Sequence, residues 1–289
     1  MDIQKLAATC LLLGGISASV AVLAQDDRFA NVTIETVPVT GNISMLIGSG
    51  GNIGVSTGAD CLLIIDDQYA PLAAKIRAAL LQLGSDTPKF LLNTHFHGDH
   101  TGGNADFGTA SIIIAHENVR GRLVAGDSPS SALPVITFDD DVTVHFNGEN
   151  ITLIHMPRGH TDTDSVVMFE DSNVIHMGDH FFNGGFPFVD LASGGTVQGY
   201  ISNLEKALSW IDDDTSVIPG HGPLGTKADL LAFYNVVKDT STTIRVMKSQ
   251  QMSAEEAVVE GLGDEYESWG QGFINEQRWI ETVFASYAR

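Results

Sequence analysis

Residues 93 to 103 read Asn93-Thr94-His95-Phe96-His97-Gly98-Asp99-His100-Thr101-Gly102-Gly103, and four potential metal ligands fall within six of those positions. At the end of a strand, residues two apart such as His95 and His97 point to the same side, and a turn at Gly98 folds Asp99 and His100 back toward them. One short loop can thereby serve two metals. Imidazole and carboxylate donors without a thiolate suit zinc, with iron or manganese also compatible. The chain holds ten histidines, so a purely random origin has odds of roughly less than one in a hundred. The competing reading is a hydrophilic loop without a metal.

Outward from this loop, the sequence predicts what delivers it. Val32 to Val37, Ile43 to Ile47 and Ile53 to Val55 are short β-branched runs split by Gly-Asn turns, and Cys61 to Ile65 follows as a buried strand. This predicts an antiparallel opening, with Cys61 as a packed structural residue rather than a nucleophile. Residues 70 to 83 carry apolar positions at helical spacing and stop at Gly84, after which Lys89 to Asn93 is a short strand running into Thr94. Beyond the loop come a strand over Ser111 to Ala115, a helix over Glu117 to Ala125, and strands near 135–138, 141–146, 150–155, 165–170 and 173–177. Helical periodicity then dominates Val197 to Trp210, Lys227 to Gln250, Ala254 to Gly261 and Phe273 to Tyr287, with the strand-like Val217-Ile218-Pro219 between the first two. Two β-then-α halves without a Pro-, Ser- or charge-rich linker predict one domain over residues 25–289, an α/β (α+β) arrangement of two sheets with outer helices.

Three later segments each set a candidate ligand beside glycine at a strand end: Gly159-His160-Thr161-Asp162-Thr163-Asp164-Ser165, His176-Met177-Gly178-Asp179, and Val217-Ile218-Pro219-Gly220-His221-Gly222. With these and the His-x-His-x-Asp-His motif at 95–100, the chain resembles the metallo-β-lactamase superfamily over most of its length. The resemblance implies a four-layer αββα sandwich. It implies His95, His97 and His160 on a first metal, Asp99, His100 and His221 on a second, and Asp179 bridging two zinc ions. Two dications close together need anionic ligands, which Asp99 and Asp179 supply among neutral imidazoles. A hydroxide held by the metals near neutral pH makes a serine or cysteine nucleophile unnecessary, and Asp99 is the candidate catalytic residue that orients it. Supporting positions are assigned to Asp66, at the end of a core strand, to Asp164 or Ser165 as orienters of His160, and to His180 beside Asp179. Structural roles are assigned to His116, His145, His155 and His176.

Substrate identity is less sharply written. The best-known metallo-β-lactamases carry a cysteine where this chain has Asp179, and an aspartate there looks more like the glyoxalase II and lactonase branches. The expected reaction is opening of a strained or activated acyl bond in a small molecule, a β-lactam or a lactone. The alternatives are a thioester hydrolase of the glyoxalase II type, an iron-dependent redox enzyme similar to sulfur dioxygenases, and a metal-binding protein without turnover. Phe96, Phe181, Phe182, Phe186 and Phe188 either line an entrance for an apolar ligand or pack the core. Trp269, Trp279 and Tyr287 either cap the sandwich or form a subunit interface.

The bulk properties set the remaining bounds. With 43% hydrophobic and 18% charged residues in 289, the chain is globular and long enough to bury a large core. Residues 1–24 combine Lys5, an apolar run diluted by Gly14, Gly15, Ser17 and Ser19, and the ending Val22-Leu23-Ala24. That is a cleavable secretory signal rather than a stable membrane anchor, and Thr9 before Cys10 argues against lipid attachment. The expected location is periplasmic or secreted. Cleavage leaves Cys61 as the one remaining cysteine, so no internal disulfide is available to the mature chain. A formal charge of −21 repels polyphosphates and argues against nucleic acid as a partner.

Overall fold

The structure, a computed structural model, describes residues 27–287; residues 1–24, read above as a signal, and Cys10 lie outside them. Among these residues two sheets face each other. Strands β1 (Glu35–Thr40), β2 (Ile43–Ile47), β3 (Ile53–Ser56), β4 (Leu63–Ile65), β5 (Phe90–Leu92), β6 (Ile112–His116) and β7 (Ile136–Phe138) lie side by side in chain order. The second sheet runs β13-β12-β11-β10-β9-β8, built from β8 (Asp141–Phe146), β9 (Glu149–His155), β10 (Ser165–Phe169), β11 (Val174–His176), β12 (Ser216–Ile218) and β13 (Gly225–Thr226). Pairing is antiparallel from β1 to β4 and parallel from β4 to β7.

Strand β4 shows why the sheets stack. Leu63 and Ile65 point into an apolar layer shared with Leu153, Val167 and Ile218 of the other sheet. Ile64 points the opposite way and packs with Leu72, Ile76 and Leu80 of the first outer helix layer. A strand apolar on both faces requires cover on both, which is the reason a third and fourth layer exist. The helices are α1 (Ala73–Gln82), α2 (Gly98–Thr101), α3 (Asn104–Phe107), α4 (Glu117–Ala125), α5 (Val197–Leu208), α6 (Lys227–Ser249), α7 (Ala254–Glu260) and α8 (Glu276–Ser286). α1 covers the first sheet, while α5, α6 and α8 pack over the second through Tyr200, Leu204, Phe233, Val237, Trp279 and Val283. The result is the αββα order.

The C-terminal aromatics cap this outer layer. Trp279 is fully buried and donates its Nε1–H to Thr240 Oγ1 at 2.9 Å, and Phe186 stacks on it. Cys61 departs from expectation: the strand begins at Leu63, and Cys61 is half-buried in the preceding turn with φ of 111°. Parallel pairing of Leu63–Ile65 with Phe90–Leu92 fixes the strand's start, while Cys61 bonds within the turn, its N–H donating to the Gly58 carbonyl and its own carbonyl accepting from Asn147 Nδ2. The first strand likewise begins at Glu35, three residues later than the β-branched run suggests, because its partner β2 is only Ile43–Ile47.

Every loop that matters leaves from the same edge of the sandwich. Parallel strands β4 and β5 end just before Asp66 and Thr94-His95, and the parallel pair β11 and β12 ends just before Asp179 and His221. Parallel strands place their carboxyl ends together, so residues far apart in sequence meet there.

Candidate metal centre

Seven side chains converge at that edge. His95, His97, His160 and Asp179 form one cluster and Asp99, His100 and His221 another, with the ligand atoms of each cluster within 4.8 Å of one another. Asp179 joins them. Its Oδ2 lies 3.8 Å from His95 Nε2 and 3.4 Å from His160 Nε2, while its Oδ1 lies 3.1 Å from His100 Nε2 and 3.3 Å from His221 Nε2. Asp99 Oδ2 faces His221 Nε2 at 3.4 Å and His100 Nε2 at 3.8 Å.

The donor atoms have the mark of cation ligands. His95 Nε2, His100 Nε2 and Asp179 Oδ1 are buried without a hydrogen-bond partner, a costly condition for polar atoms unless something else binds them. Five imidazoles with two carboxylates and no thiolate fit a borderline divalent metal. Space is reserved as well, since a Cβ on Gly220 would collide with Asp179 Oδ1 and one on Gly51 with the His100 ring.

Each ring is aimed by a specific partner. Asp66, fully buried with φ of 63°, accepts from Thr94 N (2.8 Å) and Thr94 Oγ1 (2.7 Å) and lies 2.7 Å from His100 Nδ1. One carboxylate thus fixes both the start of the loop and the ring that leaves its Nε2 for the cluster. His160 departs from expectation: its Nδ1 meets the carbonyl of Phe188 at 2.7 Å. Asp164 instead accepts from Thr161 N and Thr161 Oγ1, and Ser165 Oγ is buried without a partner. The loop carrying Phe188 crosses directly over His160, so a backbone carbonyl reaches the ring and the nearby carboxylate shapes the turn. His180 likewise stays out of the pocket, stacked on Tyr200 and 3.0 Å from Asn203 Nδ2.

Four supports were not legible as site residues. Asp190 Oδ2 lies 3.1 Å from His97 Nε2, leaving His97 Nδ1 to face His160. Asn52, in a Gly-rich turn of the first sheet, donates from its amide to the carbonyls of Pro219 and Gly222 and so pins the His221 loop of the second. Tyr200 donates its hydroxyl to the Asp179 carbonyl at 2.8 Å, and the Phe188 carbonyl holds His160. Only Asp190 carried a hint, as the side chain capping residues 191–193.

Electrostatics divide the ligands. Burial pushes His95 well below its ordinary value, with His100 adding to the effect, and burial lowers His160 to about 4. These rings are neutral and ready to ligate. Burial opposes a charge on His221 too, but Asp179 and Asp99 outweigh it and raise the ring to about 9. The same contest raises His100, through Asp179, Asp99 and Asp66. Asp179, though buried, is held well below the carboxylate range by His221, His100, His160 and His95. Asp99 is also lowered, His100 and His221 overcoming its burial. Without a metal, protons therefore occupy the carboxylate-rich cluster in place of a cation.

A cavity of about 650 Å³ opens onto Asp99, Asp179 and His221. Phe182, Phe186, Phe188 and Phe273 form an aromatic wall, Tyr69 and Arg28 stand among the other lining residues, and Ser49 and Asn183 add polar groups. The phenylalanines named from sequence split: Phe181 is buried against Phe233, and Phe96 packs beside Val119 and Leu123. Gly50, with φ of 107°, keeps the passage between Tyr69 and Asp99 open, since a Cβ there would lie 2.9 Å from the Asp99 carbonyl oxygen.

Residues 40–221 match the family model described as Metallo-beta-lactamase superfamily. The chain belongs to that superfamily. It is 33% identical over 135 residues to a hydroxyacylglutathione hydrolase of Polaromonas sp., covering 45% of this chain and 47% of the relative. It is 28% identical over 137 residues to an atrochrysone carboxyl ACP thioesterase of Aspergillus terreus, covering 47% and 40%. These alignments span about half or less of the curated relatives' length. The fold superposes on a metallo-beta-lactamase from Pontibacter korlensis with a TM-score of 0.62 at 16% identity, covering 71% of this chain and 99% of that one.

Proposed function

We propose that this chain is a two-zinc hydrolase that cleaves an activated acyl bond in a small molecule, a thioester foremost. The observation that carries the reading is Asp179, whose two oxygens face two histidine clusters at the floor of one cavity. His95, His97 and His160 would hold one ion, Asp99, His100 and His221 the other, with Asp179 between them. When bound, such ions supply a water acidic enough to ionise near pH 7 and an electrophile for a carbonyl oxygen. The printed activities of the two curated relatives, both thioester-cleaving by name, set the thioester ahead of the lactone and β-lactam expected from sequence.

The residues of the chain supply the rest. Asp99, ionised and 22% exposed at the cavity, is placed to accept a proton from the attacking water and pass it toward the leaving group. The aromatic wall excludes water and holds the apolar part of an acyl compound. Burial and Asp99 raise Tyr69 above its ordinary value, so its phenol stays a hydrogen-bond donor over the working pH range. The leader-like residues 1–24 support export, with action in the periplasm or outside the cell, and the charge of −21 supports a small-molecule partner over nucleic acid.

The test is a panel of thioester, lactone, cephalosporin, carboxyl ester and phosphodiester substrates with zinc-loaded protein, alongside metal analysis. Thioester turnover that is lost in Asp179→Ala supports the reading. Inactivity across all acyl substrates, or iron with oxygen consumption, sinks it. N-terminal sequencing of exported protein checks cleavage near Ala24.

A further inference from the structure

Beyond the family match at residues 40–221, the chain returns to the metal cavity through Gly272 and Phe273, just before α8. Three contacts seat this segment against the aromatic wall. Phe186 N donates to the Trp269 carbonyl at 3.0 Å, the Phe186 ring stacks on Trp279 of α8 with centroids 5.8 Å apart, and Ile274 is buried in the same apolar layer. Phe273, one residue earlier, is instead 73% exposed. Among the described residues it is the one strongly exposed large apolar side chain that lines the cavity. An apolar ring left in water at the rim of a ligand cavity is binding surface still to be covered. Its position is fixed. Arg278, in the first turn of α8, donates from Nη1 to the Phe273 carbonyl at 3.3 Å and sits 4.9 Å from the ring centroid.

The wall steps away from the ligands. Phe182 stacks on His221 at 5.1 Å, and Phe188 lies 5.9 Å from His97 and 5.6 Å from His160, so these two rings touch both clusters. Phe273 joins the wall through Phe188, edge-on at 6.1 Å, and among the described residues no ring contact links it to a ligand histidine. Gly184 and Gly272 line the same cavity without side chains, and a Cβ on either would meet nothing within 4 Å, so the space there is open. We infer that Phe273 sets substrate specificity by length: the compound carries, on one side of its carbonyl, an apolar group long enough to pass Phe188 and cover Phe273. A short acyl compound reaches only the rings beside the ligands and leaves Phe273 in water. The inference rests on the acyl-hydrolase reading for the carbonyl and the metals. The superfamily core then provides the ligands, and the segment after it selects the length.

A binding experiment separates this role from the reaction itself. The probes are acetohydroxamate, 3-phenylpropanohydroxamate and 6-phenylhexanohydroxamate, which share one metal-binding head and differ in their apolar tails, titrated calorimetrically into the metal-loaded protein. The wild type binds the longest at least tenfold more tightly than the shortest. Phe273→Ala removes about fivefold of that gain while leaving acetohydroxamate within twofold, and Phe273→Leu keeps most of it. A flat series in the wild type overturns the proposal. So does a long-tail advantage that survives Phe273→Ala, because the tail then lies elsewhere, and so does equal weakening of all three probes, because the variant has then disturbed the metals. Turnover is followed separately with the 6-phenylhexanoyl thioester of ethanethiol and the acetyl thioester of 6-phenylhexanethiol, which tell whether the acyl or the thiol half carries the group. A Phe273-dependent preference in binding without cleavage of either thioester retires the hydrolase reading and keeps the role of Phe273. Cleavage of both with no length preference in binding does the reverse.

Discussion

The two ligand clusters share Asp179 yet occupy opposite environments. His95 and His160 are buried and neutral, and the rest of their surroundings are rings, the Thr94 hydroxyl and a backbone carbonyl. His221, with 30% of its side chain exposed, and Asp99 face the cavity, and carboxylates draw protons onto His221 and His100. One cluster offers two buried neutral rings, with His97 beside them at the cavity and held by Asp190. The other is already charge-balanced by protons that a cation must displace. The inner cluster is therefore expected to bind metal tightly over a broad pH range, and the outer one to bind conditionally and to face substrate.

The most damaging break is Asp179→Ala, which removes the shared ligand. Metal content measured by elemental analysis should fall from two equivalents to less than one, and acyl hydrolysis by about a thousandfold or more. A smaller and unequal effect is expected from the single ligands: His221→Ala should retain about one equivalent, whereas His160→Ala should lose the inner metal first. Equal losses from the two variants would remove the distinction drawn here. Next come the supports, where Asp66→Asn should weaken the outer metal by roughly 10- to 100-fold, and Asp190→Asn should weaken the inner one by less because it is partly solvated.

The pH dependence sharpens the same contrast. A metal entering the outer cluster must release the protons held by His100 and by His221, with its value near 9, so affinity there should rise with pH below 9, by about tenfold per unit for the His221 proton alone. In the metal-free protein the linked stability has the opposite sense. The folded value lies above the unfolded one of about 6.5, so this contribution is complete below pH 6.5 and is lost as pH rises through about 9. His160 and His180, lowered by burial to about 4 and about 3, act inversely, and their stabilising neutral forms lose ground as pH falls below 6.5. Metal-free melting temperature should thus decline on both sides of the neutral range. The smallest expected effect is Tyr200→Phe, which removes the hydroxyl from the Asp179 carbonyl and should cost about 1 kcal/mol in denaturant unfolding.

Residues 93–103 named four ligands because local geometry alone puts alternating and turn-flanking side chains together, and no distant residue is needed to read that. The strands and helices were legible for a related reason: apolar periodicity records which faces are buried, and β4 with both faces apolar already implied cover on both sides. Assignment of His160, Asp179 and His221 as further metal ligands came from resemblance, since nothing local orders residues 160, 179 and 221 around a common point. Tertiary structure alone decided what aims the rings. A carbonyl at Phe188, a capping carboxylate at Asp190 and a turn amide at Asn52 carry no signature, because any residue has a carbonyl and Asn or Asp suits many turns. The same holds for Arg28 and Phe273, which lie far apart in sequence and line one cavity. Composition shows the sum of charges, but only folding puts the Arg28 guanidinium over the Tyr69 ring in a cavity also lined by Asp99 and Asp179.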